Sequence, residues 1–416
     1  MRVNGSGGLP AWLPAAIGSA ARRGGADDEA LLSGRAWGQF LESLQRSSAV
    51  LRSERAPDTP VDQAAGYRHL LVLLALGIDE ALRSSDPYNP VVKPGNVDAV
   101  LKWGMDCPDA AYVGAAIRPD ATYRVHVGRG TVRYLGFQVM GGIESLANVV
   151  AEDLVASADG TLEIVLSADE QPGNWMPLGP GASSLVVRQF FYDWDHERPA
   201  ELSIECTSRP EGSERPPVAA LSPAAVARQL SALGDFVEAS VAFWLDIEDA
   251  GRSEGLNCFR EPAARTDIGG AAENVTVWGS WDLEPDEALV IEVTPPEARY
   301  WSVALGNFWW ESIDFANHQS SLNGHQAVVD ADGVFRAVVS LPDPGIANWL
   351  DPAGNRQGPM IFRWVRADHA PVPSVRVVPL DRLDAELPEG TARVDAAGRR
   401  RTIAARRRAV EHRYPR

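Results

Sequence analysis

"YVGAAIRPDATYRVHVGRGTVRYL" (residues 112–135) and "WGSWDLEPDEALVIEVTPPEARYW" (residues 278–301) overlay without a gap: Pro119 and Asp120 fall on Pro285 and Asp286, Arg133 and Tyr134 on Arg299 and Tyr300. Both stretches are short β-branched and aromatic runs punctuated by turn residues, which is the composition of strands. The correspondence continues in order. "ESLAN" from Glu144 matches "ESIDFAN" from Glu311, and Asp159-Gly160 matches Asp332-Gly333. "PGNWMPLGPGASSLVVR" from Pro172 matches "PGIANWLDPAGNRQGPMIFR" from Pro344, the two ending on Arg188 and Arg363. A unit of about 100 residues written only twice indicates paired domains rather than a solenoid. Asp-Gly and Pro-Gly suit tight turns, and a Trp beside such a turn plugs the end of a sandwich. The repeated phrase therefore reads as architecture, with Arg188 and Arg363 as structural ties between a turn and a strand.

The flanking sequence changes period. Leu31, Leu32, Trp37, Phe40, Leu41 and Leu44 recur at helical spacing, and a second helix opens at Thr59-Pro60 and runs through "YRHLLVLLALGIDEALR" until Pro87, Pro90 and Pro94 stop it. Ser222-Pro223 opens a third, with Val226, Leu230, Leu233, Val237, Val241, Trp244 and Leu245 on one face and Gly251 past its end. The expected protein is mainly β, with two related antiparallel β-sandwich or jelly-roll domains, an N-terminal helical region and a long inter-domain helix. The segments are a flexible N-terminus (1–27), a helical region (28–105), a first sandwich (106–221), a linking helix (222–258), a second sandwich (259–385) and a basic C-terminal extension (386–416).

Composition excludes several function classes. Of 416 residues, 45% are hydrophobic and 23% charged, as in folded soluble proteins. The net charge is -17, yet residues 390–416 hold nine Arg against Asp395 and Glu411. So acidic a body repels phosphate backbones, which argues against nucleic acid as the main ligand. The Arg-rich end is expected to lie on an acidic face of its own subunit or of a second copy, giving a homo-oligomer. Cys107, Cys206 and Cys258 are scattered and show no CxxC spacing, so neither a disulfide framework nor a metal site is expected. No apolar run approaches membrane-spanning length and the N-terminus lacks a signal-peptide core, so the expected location is the cytoplasm, away from membranes. A GxSxG elbow, a phosphate loop, a strand-linked GxGxxG and HExxH are all missing, and no cofactor is expected.

"RYWSVAL" followed by "DADGVFRAVVSLPDPGIANWLDPAGNRQGPMIFRWV" resembles the bacterial family known as domain of unknown function 1214, over Ala298 to Asp368 and more weakly over Val132 to Asp193. "DCPDAAY", from Asp106 to Tyr112, is similar to the family's Asn-Pro-Asp-x-x-Tyr signature, with Cys107 in place of Asn. The resemblance implies a β-sandwich or jelly roll and a bacterial origin, and no activity.

Features present in one copy only are the better functional candidates. The richest is "GNFWWESIDFANHQSS", with Phe308, Trp309, Trp310, Glu311, Asp314, Asn317 and His318, and seven of the thirteen Trp lie between Trp278 and Trp364. Aromatics at that density either fill a core or wall a pocket for a flat apolar ligand, with Trp278, Phe308, Trp309, Trp310 and Asn317 lining it. Asp314 and His318 are four apart, so a helical turn would pair them as acid and base, while a surface loop His is the plainer reading. Glu311 has a repeat partner in Glu144, which favours a structural role. Asp109 and Tyr112 stand where the helical region joins the first sandwich, positioned to polarise a substrate carbonyl or merely to close a turn. "YDWDHERP" (192–199) reads as a solvated strand end rather than a metal cluster. The function these residues predict is a cofactor-independent enzyme acting on a lipophilic or aromatic small molecule, such as a steroid, terpenoid or polyketide-like metabolite. Asp109, Tyr112, Glu311, Asp314 and His318 are its acid–base candidates. The competing classes are a carbohydrate- or partner-binding sandwich protein and a carboxylate-dependent glycoside hydrolase.

Overall fold

The computed structural model describes residues 28–82, 86–95, 97–213 and 221–414, so the N-terminal segment 1–27 lies outside the described residues. The first half forms a five-stranded sheet ordered β1 (Lys93–Pro94), β2 (Ala110–Ala116), β8 (Ser184–Phe190), β4 (Tyr134–Gly141), β5 (Glu144–Val150). Against it packs a four-stranded sheet ordered β7 (Trp175–Pro177), β6 (Thr161–Ser167), β3 (Thr122–Gly128), β9 (Glu201–Ser208). The second half repeats this topology nine strands later. Its five-stranded sheet is β10 (Cys258–Phe259), β11 (Asn274–Asp282), β17 (Gln357–Ala367), β13 (Ala298–Leu305), β14 (Ser321–Asn323). Its four-stranded sheet is β16 (Trp349–Leu350), β15 (Phe335–Ser340), β12 (Glu287–Val293), β18 (Ser374–Pro379). Even the one parallel pairing in each half is conserved, β6 with β7 and β15 with β16.

Each half buries its own core between its two sheets. Tyr123, Val125, Ile164, Phe137 and Val187 fill the first, and Leu289, Ile291, Phe335, Val303 and Phe362 the second. The Asn-Trp of the repeated phrase acts identically in both. Asn174 Nδ2 donates to the carbonyls of Val155 and Glu163, and Asn348 Nδ2 to those of Val328 and Arg336; each Oδ1 accepts from the amide of Val155 or Val328. The following Trp uses its indole N–H on Ser167 Oγ or on the Ser340 carbonyl.

The outer faces of the two five-stranded sheets meet in a shared layer of Cys107, Ala110, Tyr134, Phe190, Tyr300 and Val365. Tyr134 and Tyr300 therefore occupy equivalent places. Beside them Arg133 Nε donates to the Arg299 carbonyl (2.5 Å) and Arg299 Nε to the Arg133 carbonyl (2.7 Å), a reciprocal contact across a local two-fold axis. Arg188 and Arg363 also cross the junction, reaching the backbone carbonyls of Gly269 and Met105.

The overlay needs two corrections. Arg188 sits between Tyr112 and Gly136, whereas Arg363 sits between Thr276 and Ser302, so the partner of Tyr112 is Thr276 and not Trp278. Glu144 opens an exposed strand after a two-residue turn, whereas Glu311 is buried in a long connection between β13 and β14. "ESLAN" and "ESIDFAN" are thus alike in letters and not in place.

Among the described residues, six α-helices accompany the sheets: α1 (Asp28–Leu32), α2 (Arg35–Val50), α3 (Pro60–Leu82), α4 (Pro223–Glu254), α5 (Leu383–Glu386) and α6 (Ala396–Arg413). Helix α4 is more than a linker. Leu233, Phe236, Val237, Val241 and Leu245 pack with Phe40, Val72, Leu73 and Leu76 of α2 and α3 into a bundle. Its start follows the sequence signals, with Ser222 Oγ accepting from the Ala225 amide, but it runs through Gly251 and ends at Gly255. Gly251 lies inside the helix, and the Arg260 guanidinium rests on it, where a Cβ would meet Arg260 Nη2 at 2.2 Å. Helix α6 lies on its own subunit. Arg399 bonds Asp343, Gln319 and the Ile346 carbonyl, and Arg406 bonds Ser321 and the Phe315 carbonyl while stacking on Trp194.

Candidate functional site: the seam under helix α4

The two halves differ most between β13 and β14, where residues 306–320 replace the short turn between β4 and β5. This connection pushes into the helices, and consecutive side chains fan out to different neighbours. Phe308 and Trp309 enter the bundle core. Trp309 covers Gly66 of α3, where a Cβ would lie 2.7 Å from its ring, and its indole N–H donates to the Asp62 carbonyl. Glu311 turns toward α3, with its Oε1 2.9 Å from His69 Nδ1 and both side chains buried. Ser312 joins the buried pair Lys102 and Asp106: Lys102 Nζ donates to Ser312 Oγ, while Ser312 donates from N and Oγ to Asp106. Burial lowers the Lys102 pKa and raises that of Asp106, each opposed by the other's charge 3.9 Å away.

Trp310 points the other way, onto the outer face of the second five-stranded sheet beneath α4. It stacks on Trp244 of α4 (5.0 Å between centroids, 20° between planes) and meets Trp278 of β11 at 4.9 Å. Trp103 adds an edge to Trp244 at 5.2 Å, and the Arg265 guanidinium lies 4.5 Å over Trp278. Trp310 holds φ near 60°, a left-handed conformation costing a bulky residue about 1–3 kcal/mol, and its carbonyl accepts from the amide of Met105, which is also left-handed. Its indole N–H donates to Glu248 Oε2 at 3.0 Å. Glu248 is wholly buried, and burial pushes its pKa up to about 7 against the opposing pull of Arg252 and the Trp310 bond. Trp103, Trp278 and Phe243 at the rim are half-buried, so the stack reaches the surface.

The other sequence candidates lie elsewhere. Asp109 is buried at the junction of the halves, its carboxylate accepting from Trp194 Nε1 (2.6 Å), Asn323 Nδ2 (2.7 Å) and the Tyr300 hydroxyl (2.6 Å). Burial and the Asp109 charge push the Tyr300 hydroxyl well above its ordinary pKa, and burial raises the Cys107 thiol 3.4 Å away. Tyr112 lies nearby under the Arg188 guanidinium, 5.3 Å from its ring, and burial raises its pKa too. Asp314 and His318 do not pair. The segment is a turn in which Asp314 accepts from the amides of Ala316 and Asn317 and from Asn317 Nδ2. Burial works against ionisation of Asp314, but these bonds hold its pKa below the ordinary value. His318 bonds Asp351 Oδ2 at 2.7 Å, which raises its pKa. Asn317 is tied to Arg407 of α6. The structure therefore brings Trp278 and Trp310 together, places Phe308, Trp309 and Glu311 on the far side of one connection, keeps Asp109 and Tyr112 near each other at the junction of the halves, and gives Asp314 and His318 separate partners.

Sequence reading missed Glu248, Trp244 and Trp103. The signal was present: Glu248 follows Trp244 by four residues, which places a carboxylate on the apolar face of α4. Among the described residues no group of His, Cys, Asp and Glu is arranged to hold a metal, and no helix is long and apolar enough to cross a membrane.

This architecture defines a duplicated β-sandwich protein roofed by helices. A family profile described as "Protein of unknown function (DUF1214)" matches residues 140–192. A solved structure of an uncharacterized protein from Burkholderia cenocepacia is similar at 35% identity and a TM-score of 0.78, over 85% of this chain and 99% of that one. The VPA0106 protein from Vibrio parahaemolyticus follows at 12% identity and a TM-score of 0.44, over 82% of this chain and 99% of that one. The curated proteins include no match. The chain belongs to the DUF1214 family.

Proposed function

We propose that this protein binds a lipophilic or aromatic small molecule at the tryptophan seam between α4 and the second sandwich. The observation that supports the reading is the stack of Trp103, Trp244, Trp278 and Trp310 around a buried carboxylate, with a left-handed backbone at Trp310. Flat rings stack on indole faces, and an aromatic lining with a few convergent polar groups is the usual make-up of a small-molecule site. Acid–base work by Asp109, Tyr112, Asp314 and His318 draws no support from their surroundings, since Asp109 accepts from three buried donors and His318 pairs with Asp351 instead of Asp314. A module that binds carbohydrate through exposed aromatics is disfavoured because Trp244, Trp309 and Trp310 are buried.

The test is intrinsic-fluorescence titration with a panel of flat polycyclic probes. Saturable quenching should be lost in Trp278→Ala at the rim and retained in Trp175→Ala, whose indole serves the first sandwich. Equal quenching in wild type and Trp278→Ala would remove the seam as the site.

A further inference from the structure

This inference rests on the seam reading and specifies what its ligand carries. Nearly all buried polar atoms in proteins find partners, so orphans in one place call for an explanation. The seam concentrates them. The indole nitrogens of Trp103, Trp244 and Trp278, Nη1 of Arg252 and Oε1 of Glu248 are buried without a hydrogen-bond partner. Four of the five are donors.

Two of these atoms face each other. Glu248 and Arg252 are one turn apart on α4, and Glu248 Oε1 lies 3.9 Å from Arg252 Nη1. That separation is too long for a direct bond and short enough for one oxygen atom to sit at about 2.8 Å from each. Their neighbouring atoms already have partners: Glu248 Oε2 accepts from Trp310, and Arg252 Nη2 donates to Asp282 at 2.7 Å. The Arg252 side chain is 25% exposed and that of Glu248 is not exposed at all, so an incoming group enters past the guanidinium. A cationic ligand group is disfavoured, because Arg252 already occupies that approach.

We propose that protonated Glu248 and Arg252 form a two-donor seat for a carbonyl oxygen, so that the ligand is a flat apolar molecule bearing a ketone or similar acceptor. The proton sits on Oε1 and is donated to the ligand oxygen, no covalent step being involved. Burial keeps this carboxyl protonated up to about pH 7, so the seat is complete below that value and loses one donor above it.

The probes are 2-acetylnaphthalene and its carbonyl-free analogue 2-ethylnaphthalene, titrated into the full chain by tryptophan quenching at pH 5.5 and 8.5. In wild type the ketone should bind about five- to tenfold more tightly than the hydrocarbon at pH 5.5, and the preference should shrink several-fold at pH 8.5, where Arg252 alone still donates. Glu248→Gln, whose amide donates at any pH while its oxygen still accepts from Trp310, should keep the preference at pH 8.5. A merely structural carboxyl would not restore it there. Equal binding of both probes at pH 5.5, with water holding the bridging position, overturns the two-donor seat and leaves the seam intact as a site. An undiminished preference in wild type at pH 8.5 overturns the role of Glu248. Binding of neither probe overturns the seam reading as well.

Discussion

Asp109 shows how a carboxylate can be fully occupied and therefore structural. Its oxygens accept from Trp194, Asn323 and Tyr300, groups drawn from both halves. In Asp109→Asn one acceptor becomes a donor facing donors, and the loss of stability in urea unfolding should be about 1–3 kcal/mol. Glu248 is the opposite case. Its pKa is near 7 in the folded chain and near 4.5 when unfolded, so between those values the folded state holds the extra proton and stability falls as pH rises. Wild type should lose about 3 kcal/mol relative to Glu248→Gln between pH 4.5 and 8, measured as the difference in unfolding free energy at each pH. At this scale the sequence was only partly legible. Four-residue spacing suggested that Asp314 meets His318, but an Asp followed by Ala316 and Asn317 amides prefers to close a turn on itself. His318 was left to find Asp351, a partner 33 residues away that no local pattern announces.

Among the elements, those with strong local punctuation were readable and those defined by partners were not. Thr59-Pro60 and Ser222-Pro223 marked the starts of α3 and α4, and the β-branched runs marked strands. The depth to which residues 306–320 enter the bundle was not readable, because the complement of Trp309 is a missing side chain at Gly66 on a distant helix. Trp309→Ala should open a cavity there and cost about 3–5 kcal/mol, observed as a lower urea midpoint with an unchanged slope. Helix α6 is also defined by its partners. Arg406 is buried beneath Trp194, and burial lowers its pKa to about 10. Arg406→Met should be tolerated better than Arg406→Ala by thermal unfolding, since both lose the bonds to the Phe315 and Ser321 carbonyls but only the second also leaves a void.

The whole molecule is two copies of one topology joined back to back, and this was the most legible feature because duplication leaves its mark at every turn residue at once. Its axis was less legible, since the reciprocal bonds of Arg133 and Arg299 run from side chain to backbone and need no complementary residue type. Arg133→Ala and Arg299→Ala should each cost about 0.5–1.5 kcal/mol, and the double variant less than their sum, because each change loosens the carbonyl that the other arginine uses. A strictly additive double-mutant cycle in urea unfolding would argue against a single coupled contact. A self-matching surface of this kind is what two separate polypeptides use to associate. Carried inside one polypeptide, it fixes their stoichiometry at one to one and frees each partner from having to match itself. The long β13–β14 excursion is what that freedom permits: a single partner acquired an aromatic specialisation that a true homodimer would have had to build twice.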